Sequence, residues 1–253
     1  MKGVLVSLSL VALAGGVSYR LHLRQERDLL IATIRACAQL FVVAVTITAV
    51  FESLGLSGLF LVVMFGAAAW TSGRRLRGVR GAALIAGASI GVSSAVALIV
   101  LFTAGAFPLE PQFLIPIAGM LIGNTMTATS LAGGRLRDEI ESRRAEIETR
   151  LILGDPIPTA LMTYRRRSAT TALIPMIDQT KNLGVIALPG AFVGMVLSGA
   201  SPAEAAQVQL VVMFMLLGAV ALAGMVTTAL VARAFVAPGD RLVPPSIEAA
   251  GEI

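Results

Sequence analysis

Apolar runs of membrane-spanning length recur along this chain, and they constrain its fold more than any other feature. They return about every 25 to 30 residues, separated by short loops that contain charged residues, Gly or Pro. The chain is 56% hydrophobic and 14% charged, whereas soluble domains are roughly 25% charged. Since about 20 apolar residues span a bilayer as a helix, the sequence predicts an all-α, polytopic membrane helix bundle.

We predict seven transmembrane spans. The first run could instead be a cleaved signal peptide, but Arg20, Arg24 and Arg27 stand where a small-residue cleavage site is expected. The spans are Val4–Tyr19, Ala36–Phe51, Leu56–Thr71, Gly81–Phe102, Phe113–Leu131, Leu183–Leu197 and Ala205–Phe235. Residues 1–237 are thus one predicted transmembrane domain, and the Pro-containing residues 238–253 are a predicted disordered tail.

The charges of the loops orient these spans. The loops after spans two, four and six contain Glu52, Glu110 and Glu204 and no Lys or Arg, while nineteen of the twenty basic residues fall on the other side. The positive-inside rule therefore places the N-terminus outside and the C-terminus in the cytoplasm of a plasma-membrane protein. The same rule explains the basic charge of the chain as an orientation signal, so no nucleic-acid partner is expected.

One long polar interval, Arg135–Lys181, interrupts the apolar runs. It contains nine of the twenty basic residues and seven of the fifteen acids, and the charge rule puts it in the cytoplasm. Its first half predicts a helix with one apolar face and with two i,i+4 ion pairs, Glu139–Arg143 and Glu146–Arg150. That apolar face consists of Leu136, Ile140, Ile147 and Leu151.

A turn divides this interval into two helices. Gly154 suits the left-handed position that ends a helix, and Asp155-Pro156 suits the start of the next one. The basic run Arg165, Arg166 and Arg167 then leads back to the membrane. The segment is therefore predicted to be a cytoplasmic helix-turn-helix.

No enzyme chemistry of its own is expected from this chain. It contains no G-x-x-x-x-G-K-[ST] phosphate loop, and Lys2 and Lys181 are its only lysines. His22 is the only histidine and Cys37 the only cysteine, so the sequence provides no catalytic Ser/His/Asp set and no cysteine-rich metal site.

Polar side chains in the fifth span are candidates for a solute pathway, because polar groups at membrane depth are costly unless they face protein or a water-filled cavity. Met120, Asn124 and Thr127 share one helical face, with Met126 nearby. Helix packing through hydroxyl groups and Gly119-x-x-x-Gly123 is the alternative interpretation. Met176, Asp178 and Gln179 are predicted at the cytoplasmic mouth of the sixth span, where Asp178 would attract a cation or pair with Lys181.

Glu148-x5-Gly154 has the Glu-to-Gly spacing of the EAA motif of ABC-transporter permeases. The wider sequence, with IAGMLIGNTMT, RLRDE, IPMID, LPG and SGASPAEA, resembles the bacterial iron-export ABC permease family (FetB-like) from about residue 116 to residue 235. The chain departs from that family at Asp155-Pro156, where Ala-Thr or a similar pair is usual.

The resemblance implies a homodimeric permease that works with two copies of a separate ABC ATPase and exports a metal ion, most naturally iron. The chain itself would bind no cofactor, and the partner would bind ATP and Mg²⁺. The ATPase-coupling residues would be Glu146, Glu148, Gly154, Asp155 and Arg165–Arg167, and the pathway residues Met120, Asn124, Met126, Thr127 and Asp178. The rivals are an ATP-independent secondary transporter or channel, an ABC permease for a non-metal small solute, and a membrane adaptor that binds anionic lipid.

Overall fold

A computed structural model describes residues 2–237 and 241–242 of the chain. Within them the chain forms nine α-helices and one two-stranded hairpin. The helices are α1 (Lys2–Arg20), α2 (Glu26–Glu52), α3 (Leu54–Arg75), α4 (Ala82–Thr103), α5 (Pro111–Ser142), α6 (Arg144–Ile152), α7 (Ile157–Lys181), α8 (Gly190–Leu197) and α9 (Pro202–Ala234), and the strands are β1 (Val236–Ala237) and β2 (Arg241–Leu242).

Five helices, α2, α3, α4, α5 and α9, are long and apolar enough to cross a membrane. The predicted polytopic helix bundle is therefore confirmed. The chain divides into two compact units, Met1–Leu56 and Ser57–Ile253.

The first unit is a hairpin of α1 and α2. The hydroxyl of Ser18 donates a hydrogen bond of 2.8 Å to Oε1 of Glu26, and the amide of Gln25 donates to Ser18 Oγ at 3.2 Å. Both bonds close the short connection. Its residues His22 and Arg24 have positive φ angles of 54° and 57°.

The second unit is a bundle in which α5, α7 and α9 pack on one another, α4 packs on α5 and α9, and α8 packs on α9. Hydroxyl groups bridge neighbouring helices inside it, as expected where apolar burial gives little drive for helix association in lipid. The bonds are Ser94–Thr125 at 3.2 Å, Ser130–Ser72 at 3.1 Å and Thr227–Thr129 at 3.3 Å. Helix packing therefore explains these hydroxyl groups of α5.

The sixth span, predicted as Leu183–Leu197, is not one continuous helix. Only Gly190–Leu197 is helical, and eight residues rise about 12 Å, less than half of a hydrocarbon core. Instead α7 continues unbroken from the polar interval to Lys181, and a non-helical segment, residues 182–189, separates it from α8. The sequence prediction missed this break because apolar residues continue through it.

The C-terminal end of α9 carries a short antiparallel hairpin in which Val236 pairs with Leu242. Leu242 is buried in the same apolar cluster as Ile140, Ile147 and Val231. The predicted disordered tail, residues 238–253, lies outside the described residues except for Arg241–Leu242.

Candidate functional site

The middle of the polar interval folds as a helical hairpin beyond the basic end of the bundle. The predicted apolar face is confirmed, since Leu136, Ile140 and Ile147 are all buried. Arg143 breaks the predicted first helix into α5 and α6. We call α6, the turn at Gly154 and the first three turns of α7 the coupling hairpin.

The turn of the coupling hairpin has the geometry that its sequence predicts. Gly154 has a φ angle of +95°, a conformation that costs a residue with a Cβ atom about 1–2 kcal/mol. The amide of Gly154 donates to the Leu151 carbonyl at 3.1 Å and that of Asp155 to the Arg150 carbonyl at 3.0 Å. Pro156 then takes the N-cap position of α7.

Ion pairs on the coupling hairpin differ in part from those predicted. The pair Glu139–Arg143 is present at 3.5 Å. The pair Glu146–Arg150 is not formed among the described residues, because Arg150 reaches across the turn to Asp155 at 2.7 Å instead. Asp155 thereby connects the start of α7 to α6. This ion pair is not among those predicted from the sequence.

The remaining predicted acids also have defined partners. Nε of Arg144 donates to Oε1 of Glu148 at 2.8 Å, and Nη2 of the same Arg144 donates to the carbonyl of Leu242 at 2.9 Å. The start of α6 is thus joined to the C-terminal hairpin.

Tyr164 of α7 is buried and hydrogen-bonds the carboxylate of Glu146 on α6. This bond, together with the guanidinium of Arg143 at 3.2 Å, lowers the pKa of Glu146 below its ordinary value. Burial and the same carboxylate raise the pKa of Tyr164.

The tip of the coupling hairpin presents two large apolar side chains. Ile152 is 85% exposed and Leu153 is 81% exposed. They point away from the face of α6 that buries Ile147. Two neighbouring exposed apolar side chains on a rigid turn are a recognition feature, because a partner that covers them removes apolar surface from water and thereby lowers the free energy.

The basic run lies on the middle of α7. Arg166 and Arg167 are exposed, while Arg165 is half-buried and its Nε has no hydrogen-bond partner within the described residues. The first two could therefore contact an acidic surface, whereas Arg165 faces the protein.

A small cavity of about 230 Å³, lined by both apolar and polar side chains, lies between α5, α7 and α9. Asn124 and Thr127 line it, as do Met176 and Gln179 of α7. The amide of Asn124 donates to the Met120 carbonyl at 2.8 Å and the hydroxyl of Thr127 to the Gly123 carbonyl at 3.1 Å. Their oxygen atoms keep lone pairs for a solute, because both bonds use the donor hydrogen.

This cavity lies about midway between the acidic and the basic ends of α5 and α9. Val220, which also lines it, is 16 residues after Glu204 and 13 before Arg233, or about 24 Å and 20 Å along the helix. Asn124 is 14 residues after Glu110 and 11 before Arg135, or about 21 Å and 16 Å.

The structure does not bring all the predicted pathway residues together. Met126 packs with Ala68 and Ile90 on another face of α5, and Met120 is half-buried in the core cluster of α5 and α9. Asp178 is exposed and directly precedes Gln179, which lines the cavity. The predicted ion pair between Asp178 and Lys181 is not formed within the described part of the chain.

Sequence reasoning missed Ile152 and Leu153 as a recognition feature, although a signal was present. These two apolar residues fall outside the helical register of Ile147 and Leu151 and directly precede a helix-ending Gly. The prediction began the sixth span after Lys181, whereas Met176 and Gln179 lie on α7 and line one cavity with Asn124 of α5.

These features define a polytopic helical membrane protein with a charged helical hairpin beyond the basic end of its bundle. Residues 1–236 match the family described as Uncharacterised protein family (UPF0014), and the chain belongs to that family. The FetB-like resemblance of the sequence is thereby confirmed.

Three relatives cover most of the chain. UPF0014 membrane protein STAR2 of Oryza sativa subsp. japonica is 38% identical over 229 residues, 90% of this chain and 80% of the relative. Protein ALUMINUM SENSITIVE 3 of Arabidopsis thaliana is 36% identical over 233 residues, which are 90% of this chain and 85% of the relative. The probable iron export permease protein FetB of Escherichia coli (strain K12) is 32% identical over 244 residues, which are 96% of this chain and 94% of the relative. No solved structure matches the chain.

Proposed function

We propose that this protein is the membrane permease subunit of an ABC exporter and that its coupling hairpin docks on a separate ATPase. The exposed pair Ile152 and Leu153 carries this proposal. A partner that covers both side chains buries two large apolar groups, and each such burial stabilises a complex by about 1.5–3 kcal/mol. Interfaces gain most of their affinity from a few central anchors of this kind.

The rigidity of the coupling hairpin supports a mechanical role. The Arg150–Asp155 ion pair, the Gly154 turn and the Tyr164–Glu146 hydrogen bond fix the tip relative to α7. Since α7 runs from this tip without interruption to the mid-membrane cavity, a displacement of the tip moves the cavity wall as a rigid body. Closure of two ATPase subunits around ATP and Mg²⁺ would supply the displacement.

The orientation follows from the basic end of the bundle. At that end, the apolar parts of α3, α5 and α9 are followed by arginines, namely Arg74, Arg75, Arg135 and Arg233. The positive-inside rule places it in the cytoplasm of the plasma membrane, where the ATPase and ATP are available, with the N-terminus outside. Exposed Arg166 and Arg167 would add charge complementarity to the contact.

Two copies of this chain with two ATPase copies form the proposed assembly. A homodimer follows the two-fold symmetry of an ATPase dimer, since each coupling hairpin would then dock on one ATPase subunit. The relative FetB is named a permease, a name that suits a subunit rather than a complete ATP-driven pump.

Metal-ion export is the proposed activity, and iron is the proposed substrate. The support is the relative FetB, which is named a probable iron export permease protein, together with the cavity donors. Carboxamide oxygens of Asn124 and Gln179 suit hard cations and the Met176 thioether suits softer ones. A non-metal small solute is the second candidate, favoured by the lack of charge on these three lining side chains.

Purification of the chain from its native membranes tests the ATPase partnership. The intact protein should co-purify an ABC ATPase in equal amount and show ATP hydrolysis, and Leu153→Asp should lower the recovered ATPase at least tenfold. Leu109→Asp is the matched control, because Leu109 is an apolar residue 70% exposed beside Glu110, at the opposite end of the bundle. Equal ATPase recovery with both variants would contradict docking at the tip.

A further inference from the structure

The helix α7 ends inside the membrane. Gln179 lines the mid-membrane cavity, and the last helical residue, Lys181, lies two positions further on, a rise of about 3 Å. Asp178 and Lys181 therefore lie at the same depth as Val220 and Asn124, about 16–24 Å from either end of the bundle.

These two charged side chains have no protein cover in the structure. Both are exposed, and among the described residues neither forms an ion pair. A charged side chain at the bilayer centre costs about 2.5–3.5 kcal/mol even by the lowest scales, unless it faces protein or water. The lipid tails are therefore not their surroundings.

The non-helical backbone after α7 gives independent evidence for water or protein around this end of the helix. Residues 182–189 are non-helical, and this stretch is exposed, with Val185 at 90% and Ile186 at 76%. Its hydrogen bonds, from Gly184 to Ala187 and from Ile186 to Asn182, close only one turn. Non-helical backbone at membrane depth is tolerated only inside protein or beside a water-filled cavity.

We propose that the end of α7 lines a water-filled cavity at the middle of the membrane, with Asp178 and Lys181 exposed to its water. Such a cavity accepts a small, charged or strongly polar solute that keeps part of its hydration shell. It lies beside the Asn124–Gln179 cavity, whose amide oxygens offer the next ligands. The role of this water in transport rests on the proposed permease function, whereas the access of water to Asp178 does not.

A different surface of the bundle shows what an apolar solute or lipid tail would occupy. A groove of about 540 Å³ between α4 and α9 is lined by Val96, Val100, Phe214 and other apolar residues. None of the residues that line this groove is charged, in contrast to the two charged residues at the end of α7. The polar solute class is therefore assigned to the α7 cavity alone.

Thiol labelling of the intact protein in native membranes tests this proposal. In a Cys37→Ser background, Asp178→Cys and Lys181→Cys are treated with a charged, membrane-impermeant methanethiosulfonate in broken membranes. Only a hydrated thiol ionises and reacts quickly. Val92→Cys is the control, because Val92 is 48% exposed and lies 10 residues after Ala82 and 11 before Thr103, in the middle of α4.

The proposal expects both α7 cysteines to react at least about 100-fold faster than Val92→Cys. Labelling at both positions that is as slow as labelling of the control would overturn the proposal. Efficient disulfide formation between position 178 of two copies, without labelling, would also overturn it, because it would show that this residue contacts the second copy and not water. The labelling needs neither ATPase nor ATP. A failure here is thus separate from a failure of the ATPase partnership, which the Leu153→Asp purification measures.

Discussion

The hydroxyl of Tyr164 on α7 and the carboxylate of Glu146 on α6 share a hydrogen bond that joins the two arms of the coupling hairpin. The same carboxylate also pairs with Arg143 at 3.2 Å. Because α6 is only nine residues long, it is too short to persist without such tertiary contacts. The bond is therefore one of the contacts that hold α6 against α7, with the Arg150–Asp155 ion pair and the buried Ile147.

Acidification should loosen the coupling hairpin. The folded-state pKa of Glu146 is lowered, so its contribution to stability is present above the ordinary carboxylate pKa of about 4.3 and is lost as the pH falls through the folded value. Amide hydrogen exchange of residues 144–164, corrected for its intrinsic pH dependence, should show this loss below about pH 4. Tyr164→Phe should speed exchange about two- to tenfold at pH 7, whereas Glu141→Gln, at an exposed acid of α5, should not.

Gly154→Ala should destabilise the hairpin turn. The φ angle of +95° at this position is strained for alanine and costs about 1–2 kcal/mol. Hydrogen exchange at the turn should rise by about tenfold or more, and ATP-driven transport should fall. Gly134→Ala is the control, because a Cβ atom there meets nothing within 4 Å and the helix gains propensity.

Gly73→Ala should disturb the packing of α3 against α4. A Cβ atom at Gly73 would lie 2.9 Å from Cα of Ala83, a backbone atom that cannot move aside alone. Overpacking of this kind costs about 1–3 kcal/mol, measurable as a lower thermal unfolding temperature in detergent. Gly66→Ala on the same helix meets nothing within 4 Å and should unfold at the wild-type temperature or above, and equal destabilisation by both would argue against this close approach.

Asp178→Asn should impair transport without loss of the ATPase complex. Removing the charge from the end of α7 takes away the carboxylate that a hydrated cation meets at mid-membrane. In proteoliposomes that contain the permease–ATPase complex, ATP-driven Fe²⁺ transport should fall at least tenfold. Asp138→Asn, which removes an exposed carboxylate paired with Arg137 at the basic end, should transport at the wild-type rate.

Much of the fold could be predicted from the sequence because the bilayer imposes a simple length rule. The helices around the apolar runs, the turn at Gly154 and the burial of Ile140 and Ile147 follow from hydropathy, glycine chemistry and helical periodicity. Each of these features depends on residues that are close together in the chain.

The features that sequence reasoning missed depend on distant residues. The docking of Leu242 beside Ile147 spans 95 residues. The depth of Asp178 depends on α7 packing beside α5 and α9, since hydropathy alone starts the sixth span at the next apolar residue. Local patterns contain no information about such contacts.

Photo-cross-linking from position 153 tests the central claim most directly. With benzoylphenylalanine in place of Leu153, irradiation of membranes should join the permease to an ABC ATPase, and the yield should change when ATP is added. The same group in place of the exposed Leu109, at the opposite end of the bundle, should give no such product. A transport-competent protein that yields no ATPase product from position 153 would contradict the role of the Ile152–Leu153 tip.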